Sequence, residues 1–191
     1  MLQIHGKQQS APNFIPDFTN PMGLLVHCHL KIELQLGSVA KAIQLLRASD
    51  AELDPSVFQA IEGAKAHFAG PGVLHTADEE ESLFPRIRRV AGPSDIDVLA
   101  ALEELEAQHR TAEQAHARFD ALVERMARNT MPSKREIDEL DTCAGALATL
   151  YGPHMRLENE VIFPAGSRLL PPDELLAVGQ EMRERRKAWL R

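Results

Sequence analysis

The chain has 191 residues, 44% of them hydrophobic and 26% charged, with a formal net charge of −7 at pH 7. That length supports one domain with a sizeable core, and an acidic chain lacks the clustered Lys and Arg that nucleic acid or an anionic membrane surface selects, so neither is an expected partner. Two cysteines, Cys28 and Cys143, make no disulfide framework, and neither a signal-peptide apolar stretch nor a membrane-length apolar run is present, so reduced thiols in the cytoplasm are expected.

Residues 1–20 are polar and proline-bearing, without periodicity, and read as an irregular arm. From residue 22 to 48 apolar side chains recur at helical spacing, with Leu25, Ile32, Leu36, Val39, Ile43 and Leu46 on one stripe. Asp54-Pro55, a cap followed by Pro at the first helical position, opens a second stretch. It is expected to be interrupted at Gly70-Pro71-Gly72 and to resume through residue 89. Gly92-Pro93-Ser94 is a stop and a new start. Residues 95–128, rich in Ala, Leu and Glu, form the longest clean helix pattern. After Met131-Pro132, Ser133 and Glu136 have the spacing of a capping box. The fourth helix then runs toward Phe163-Pro164, with a kink or break expected at Gly152-Pro153. A short amphipathic helix over residues 173–189 closes the chain. Its basic residues, Arg183, Arg185, Arg186 and Lys187 with Arg191 beyond, read as a solvated end that complements the helix dipole.

Helices joined by short connections, with no competing strand pattern, predict an all-α fold. The economical architecture is an up-down-up-down four-helix bundle with a short C-terminal helix. The corresponding division is an arm over 1–20, the bundle over 21–170 and a helix over 171–191 packed on it.

Two segments stand out. Residues 75–85 read HTADEEESLFP and residues 154–164 read HMRLENEVIFP. Each has a histidine, a glutamate four residues later, a second glutamate two further on, and a closing Phe-Pro. Each is preceded by another histidine, His29 before His75 and His109 before His154. The unit therefore occurs twice, at an offset of 79 or 80 residues. Residues four apart on a helix share a face, so His75 with Glu79, and His154 with Glu158, can each aim an imidazole and a carboxylate at one point. With His29 and His109 contributed by the other two helices, six N and O ligands converge, too many for one tetrahedral zinc. Carboxylates bridge, so two glutamates among four imidazoles suit a dinuclear centre with open positions. A donor set without thiolate favours iron, then Mn, with Zn behind both. Buried glutamates also need a cationic partner, which two divalent ions supply.

The pattern His29, His75-x-x-x-Glu79, His109, His154-x-x-x-Glu158 resembles that of hemerythrin-like HHE cation-binding domains, over about residues 22–170. Flanking residues carry the likeness further: Cys28-His29 with Ile32, Asp78-Glu79-Glu80 through Leu83-Phe84-Pro85, and Met182 before Arg185-Arg186. The resemblance implies a non-haem centre of two Fe ions, bridged by both glutamates and an oxo or hydroxo group. Two departures matter. Thr76 stands where some members carry an extra His or Glu. Glu113 stands one turn after His109, where hemerythrins proper have a further histidine. Glu113 is thus a candidate additional ligand, or a solvated glutamate.

The same residues admit plainer readings. A His and Glu four apart also make an ordinary stabilising pair, which a single copy of the motif would not exceed. Thr76 with Glu79 also fits a capping box, which would leave His75 outside its helix. The Phe-Pro endings read as packing plus a helix stop. His5, His27, His67 and His116 read as surface or satisfied histidines, and Cys28 lies about 100° around the helix from His29. Tyr151, one turn before His154, either donates a hydrogen bond into the site or is a core Tyr with its hydroxyl at the edge.

The leading functional expectation is a di-iron protein that binds or senses O2, NO or peroxide. The alternatives are a di-iron enzyme acting on peroxide, NO or Fe(II), and iron storage or a structural metal. The bundle takes up nearly the whole chain, so a sensor of this kind is expected to need a separate protein partner, which the residues do not identify.

Overall fold

The computed structural model describes residues 17–48, 55–128 and 132–189. Among them every regular element is helical: α1 (Pro21–Ala48), α2 (residues 55–90), a short 3-10 turn (Pro93–Asp95), α3 (Ile96–Met126), α4 (residues 134–169) and α5 (Pro172–Trp189). His5, Asp54, Met131 and Arg191 lie outside the described residues.

The helix starts follow local chemistry. Asn20 caps α1, its side-chain oxygen accepting from the Gly23 amide at 3.0 Å, and Pro21 takes the first position, where its missing N–H costs nothing. At α4 the expected capping box forms. Ser133 Oγ accepts from the Glu136 amide at 3.3 Å, and Glu136 Oε2 accepts from the Ser133 amide at 2.8 Å.

α1 packs on α2 and α4, and α3 packs on α2 and α4, giving a helical bundle. Its interior holds two apolar clusters. One is built from residues such as Ile32, Ile43, Ile61, Phe119, Leu140 and Leu147. The other gathers Leu25, Leu83, Phe84, Leu102, Leu105 and Ile162. Between them each long helix contributes buried polar side chains, so the expected ligands sit in one mid-bundle layer.

Three sequence expectations fail, and at Pro71, Pro85 and Pro164 they fail for one reason. Gly70-Pro71-Gly72 does not interrupt the second helix, Gly152-Pro153 does not break the fourth, and neither Phe-Pro stops its helix. α2 instead widens to π geometry at Phe68–Gly72 and again at Asp78–Leu83, and α4 does so at Glu158–Ile162. An interior proline lacks an N–H and crowds the carbonyl four residues back. A π turn bonds to the fifth residue back, which adds a residue to the loop and absorbs the defect. Phe84 and Phe163 follow these segments, and their rings reach the polar layer, stacking on His109 and His29. The helices end later, at Ala91 and Leu170, both extended.

α5 corrects a further expectation. Arg183 and Lys187 are exposed as expected, but Arg185 and Arg186 are not part of a solvated end: Arg185 Nη1 and Arg186 Nη2 lie 2.8 and 2.7 Å from the two oxygens of Asp78, which is fully buried. Glu181 of α5 in turn receives Ser82 Oγ at 2.6 Å and Arg86 Nη2 at 2.7 Å. Backbone contact fixes the helix on its other side. The Phe18 carbonyl comes so close to Gly179 that a β-carbon there would lie 1.8 Å from the oxygen, so only glycine fits. The side chain of Trp189 lies over Gly70, where a β-carbon would come within 2.5 Å of its ring. α5 is thus braced against the π segment that carries Glu79.

Candidate metal centre

The six expected ligands come together. His29, His75, Glu79, His109, His154 and Glu158 are all buried, none more than 6% exposed. They form two overlapping quartets: His29, His75, Glu79 and Glu158, and Glu79, His109, His154 and Glu158. Within each, one candidate ligand atom per residue lies within 4.8 Å of the others, a separation that one ion between them can span.

Both glutamates belong to both quartets, and their two oxygens face different halves. Glu158 Oε2 lies 3.0 Å from His29 Nε2, while Oε1 lies 3.2 Å from His154 Nε2. Glu79 Oε1 lies 3.4 Å from His75 Nε2, while Oε2 lies 3.5 Å from His109 Nε2. The rings pair accordingly, His29 edge-on to His75 at 4.9 Å and His109 edge-on to His154 at 4.7 Å.

Three imidazoles are oriented by partners behind them. His29 Nδ1 donates to Asn159 Oδ1 at 3.1 Å, His109 Nδ1 to Glu80 Oε1 at 2.8 Å, and His154 Nδ1 to Gln108 Oε1 at 2.9 Å. Each bond places the ring proton on Nδ1 and turns the Nε2 lone pair inward. Phe163 and Phe84 stack on His29 and His109 respectively. Sequence reasoning missed Glu80, Gln108 and Asn159. The available signal was positional: Glu80 and Asn159 each follow a core glutamate, and Gln108 precedes His109.

Cations fit this donor set. His29 Nε2, both ring nitrogens of His75 and all four carboxylate oxygens of Glu79 and Glu158 are buried without a hydrogen bond among the described residues. Leaving such groups unsatisfied costs about 1–3 kcal/mol each. The Nε2 atoms of His109 and His154 face one another at 3.2 Å. With both ring protons held on Nδ1, two lone pairs oppose there, and a cation relieves the conflict. The chain belongs chemically to the class of sites that take N and O ligands without thiolate.

The electrostatics agree. Burial pushes His75 down to about 3, with His29, His154 and His109 adding to the effect against an opposing pull from Glu158. Burial and then the neighbouring Glu158 charge hold Glu79 well above the usual carboxylate range. Burial acts to raise Glu158 too, but the imidazoles of His154 and His29 outweigh it and hold that carboxyl below its usual range. One carboxylate is thus served by the histidines and the other is left wanting a positive charge.

The remaining candidates fall outside the quartets. Glu113 is exposed. It lines a cavity of about 230 Å³ that also reaches Thr76, Glu80, His109, His116 and Tyr151. Tyr151 presents its ring edge-on to His154 at 6.0 Å, but its hydroxyl hydrogen-bonds His116 Nε2 at 2.8 Å rather than a candidate ligand. Thr76 lies within α2, so the capping-box alternative does not form and His75 stays helical. Cys28, His27 and His67 line a second cavity, of about 500 Å³, which reaches His75 from the α5 side.

His116 gives a pH prediction outside the quartets. Burial lowers it from 6.5 to about 4. Between those values the unfolded chain binds a proton that the folded chain does not, so its contribution is complete above pH 6.5 and is lost as the pH falls toward 4. At pH 5 the loss is about 1–2 kcal/mol, discounted for partial exposure. Urea unfolding of metal-free protein is expected to show a smaller drop between pH 7 and 5 for His116→Gln than for the wild type. An equal drop contradicts the assignment.

Comparison with known proteins agrees with this geometry. The family model described as hemerythrin HHE cation binding domain matches residues 20–166, a span that contains all six residues. An uncharacterized protein of Haemophilus influenzae is 26% identical over 189 residues, covering 97% of this chain and 98% of that protein.

Proposed function

The chain belongs to the hemerythrin HHE cation-binding domain family, and we propose that it holds two iron ions in the bundle core and uses them to bind or sense O2, NO or peroxide. The observation that carries this reading is the split of each glutamate across the two halves, Glu158 between His29 and His154 and Glu79 between His75 and His109. A carboxylate with one oxygen toward each half is built to bridge two ions. Four imidazoles and two carboxylates favour iron, ahead of Mn and Zn, and six ligands for two ions leave coordination positions open. Bound iron would supply redox electrons and those open positions.

The protein's own residues do the rest. Asn159, Glu80 and Gln108 hold three imidazoles in register. The apolar clusters on either side keep bulk water away. The cavity beside His109 and Tyr151 supports access for a small ligand and none for a macromolecule. A second reading, turnover of peroxide or NO, is favoured by the same cavity, because Glu80, Glu113 and His116 on its wall can pass protons.

The order in which the long helices meet the two apolar clusters supports an up-down-up-down arrangement: α1 and α3 run from the Leu25/Leu102 cluster to the Ile43/Phe119 cluster, α2 and α4 the reverse. We take residues 21–170 as the bundle and 171–191 as its buttress. No described helix is long and apolar enough to cross a membrane, and free Cys28 and Cys143 support a cytoplasmic setting.

Anaerobically reduced, iron-loaded protein exposed to O2, NO or peroxide tests the function. A coloured adduct that reverses when the ligand is withdrawn supports binding or sensing. Rapid oxidation with continued consumption of peroxide or NO moves the assignment to the enzyme. An unchanged spectrum with all three ligands overturns both in favour of a storage or structural metal.

A further inference from the structure

The internal repeat relates the two halves of the centre residue by residue, at an offset of 79 or 80. His29 corresponds to His109, His75 to His154, and Phe84 to Phe163. Each lone histidine stacks on the phenylalanine of the opposite copy. The supporting hydrogen bonds follow the same relation. Asn159 behind His29 corresponds to Glu80 behind His109. Gln108, which supports His154, corresponds to Cys28.

There the symmetry fails. A cysteine is a shorter side chain and a weak acceptor, and His75 Nδ1 is buried with no hydrogen-bond partner among the described residues. Tyr151, beside His154, likewise corresponds to Gly72, and the cavity of about 500 Å³ lined by Gly72, Cys28 and His75 opens on that side. A second difference points the same way. Glu80 is a carboxylate, which makes the His109 imidazole a stronger donor, whereas Asn159 behind His29 is neutral. The bridging glutamates face both halves and do not discriminate between them.

We propose that the two metal positions are unequal: the His109/His154 position fills first and holds its ion more tightly, and the His29/His75 position is the weaker and more exchangeable one. The residues that set the difference are Glu80, Gln108 and Cys28, none of which is in a ligand quartet. They act by positioning and polarising imidazoles. The proposal rests on the dinuclear reading above.

The test is an anaerobic titration of metal-free full-length protein with Co(II) against a competing chelator, followed by cobalt absorption. Two steps at least tenfold apart are expected. Glu80→Gln, which keeps an acceptor but removes the charge, should weaken the tighter step about tenfold and leave the weaker one in place. Cys28→Gln, which restores the side chain found at the corresponding position, should tighten the weaker step by a similar factor. If that variant does not fold, Glu80→Gln decides alone. Two equal steps, or a Glu80→Gln effect confined to the weaker step, overturn the inequality. Saturation at one Co(II) per chain overturns the dinuclear reading itself, and the inequality with it.

Discussion

Replacing Glu158 by Gln is expected to empty both metal positions, whereas replacing His29 by Ala empties one. Glu158 belongs to both quartets and directs one oxygen to each half, toward His29 and toward His154. Glutamine has nearly the same shape, so the buried site stays filled, but it presents a single carbonyl oxygen and no charge. It cannot bridge, and each ion loses an anionic ligand in a water-excluded core. A loss beyond 100-fold in affinity at both positions follows, larger than the 10–100-fold typical of removing a supporting partner. His29, by contrast, belongs to one quartet only. Metal quantification on folded variants should return near zero ions for Glu158→Gln and Glu79→Gln and near one for His29→Ala. If Glu158→Gln retains two, its bridging role is wrong.

The second large effect is on stability. Metal that binds the native state alone stabilises by about 4 kcal/mol per site at a thousandfold excess over its dissociation constant. Two sites then give about 8 kcal/mol, a shift on the order of 20 °C in Tm for a chain of this size. The electrostatics of the metal-free core give the sign of this contribution. Glu79 is raised by burial, so what it adds to stability is present below its ordinary value of 4.5 and is lost as the pH rises through its folded value. His75 has the opposite sign: lowered to about 3, it costs nothing above pH 6.5 and destabilises as the pH falls below that. At neutral pH, therefore, the Glu79 burden is the one a cation lifts. Thermal unfolding with and without chelator should show the drop at pH 7, and readdition of metal should restore it. A Tm indifferent to chelation would mean that the six buried side chains are satisfied without ions.

The candidate ligand set was legible in the sequence because it is written twice. His75-x-x-x-Glu79 and His154-x-x-x-Glu158, each with an upstream histidine, follow the simplest helical rule, and the structure gathers all six. The helix start at Ser133 was legible too, being a matter of local hydrogen bonding. The π segments were not. Reading Pro71, Pro85 and Pro164 as breaks or stops assumes α geometry, and a wide turn relaxes that assumption at segments that include those carrying Glu79 and Glu158. Equally hidden were contacts made across helices. Glu80 reaches His109, Gln108 reaches His154, and Asp78 recruits Arg185 and Arg186 from the far end of the chain. Nothing in local spacing announces such partners. The repeat does so once the fold shows that its two copies face each other.

The most direct test of the dinuclear iron centre is the metal content and near-ultraviolet absorption of the full-length protein purified in air. Close to two irons per chain, with the strong near-ultraviolet bands of a bridged diferric pair, is the predicted result. One zinc per chain and no such absorption would contradict it.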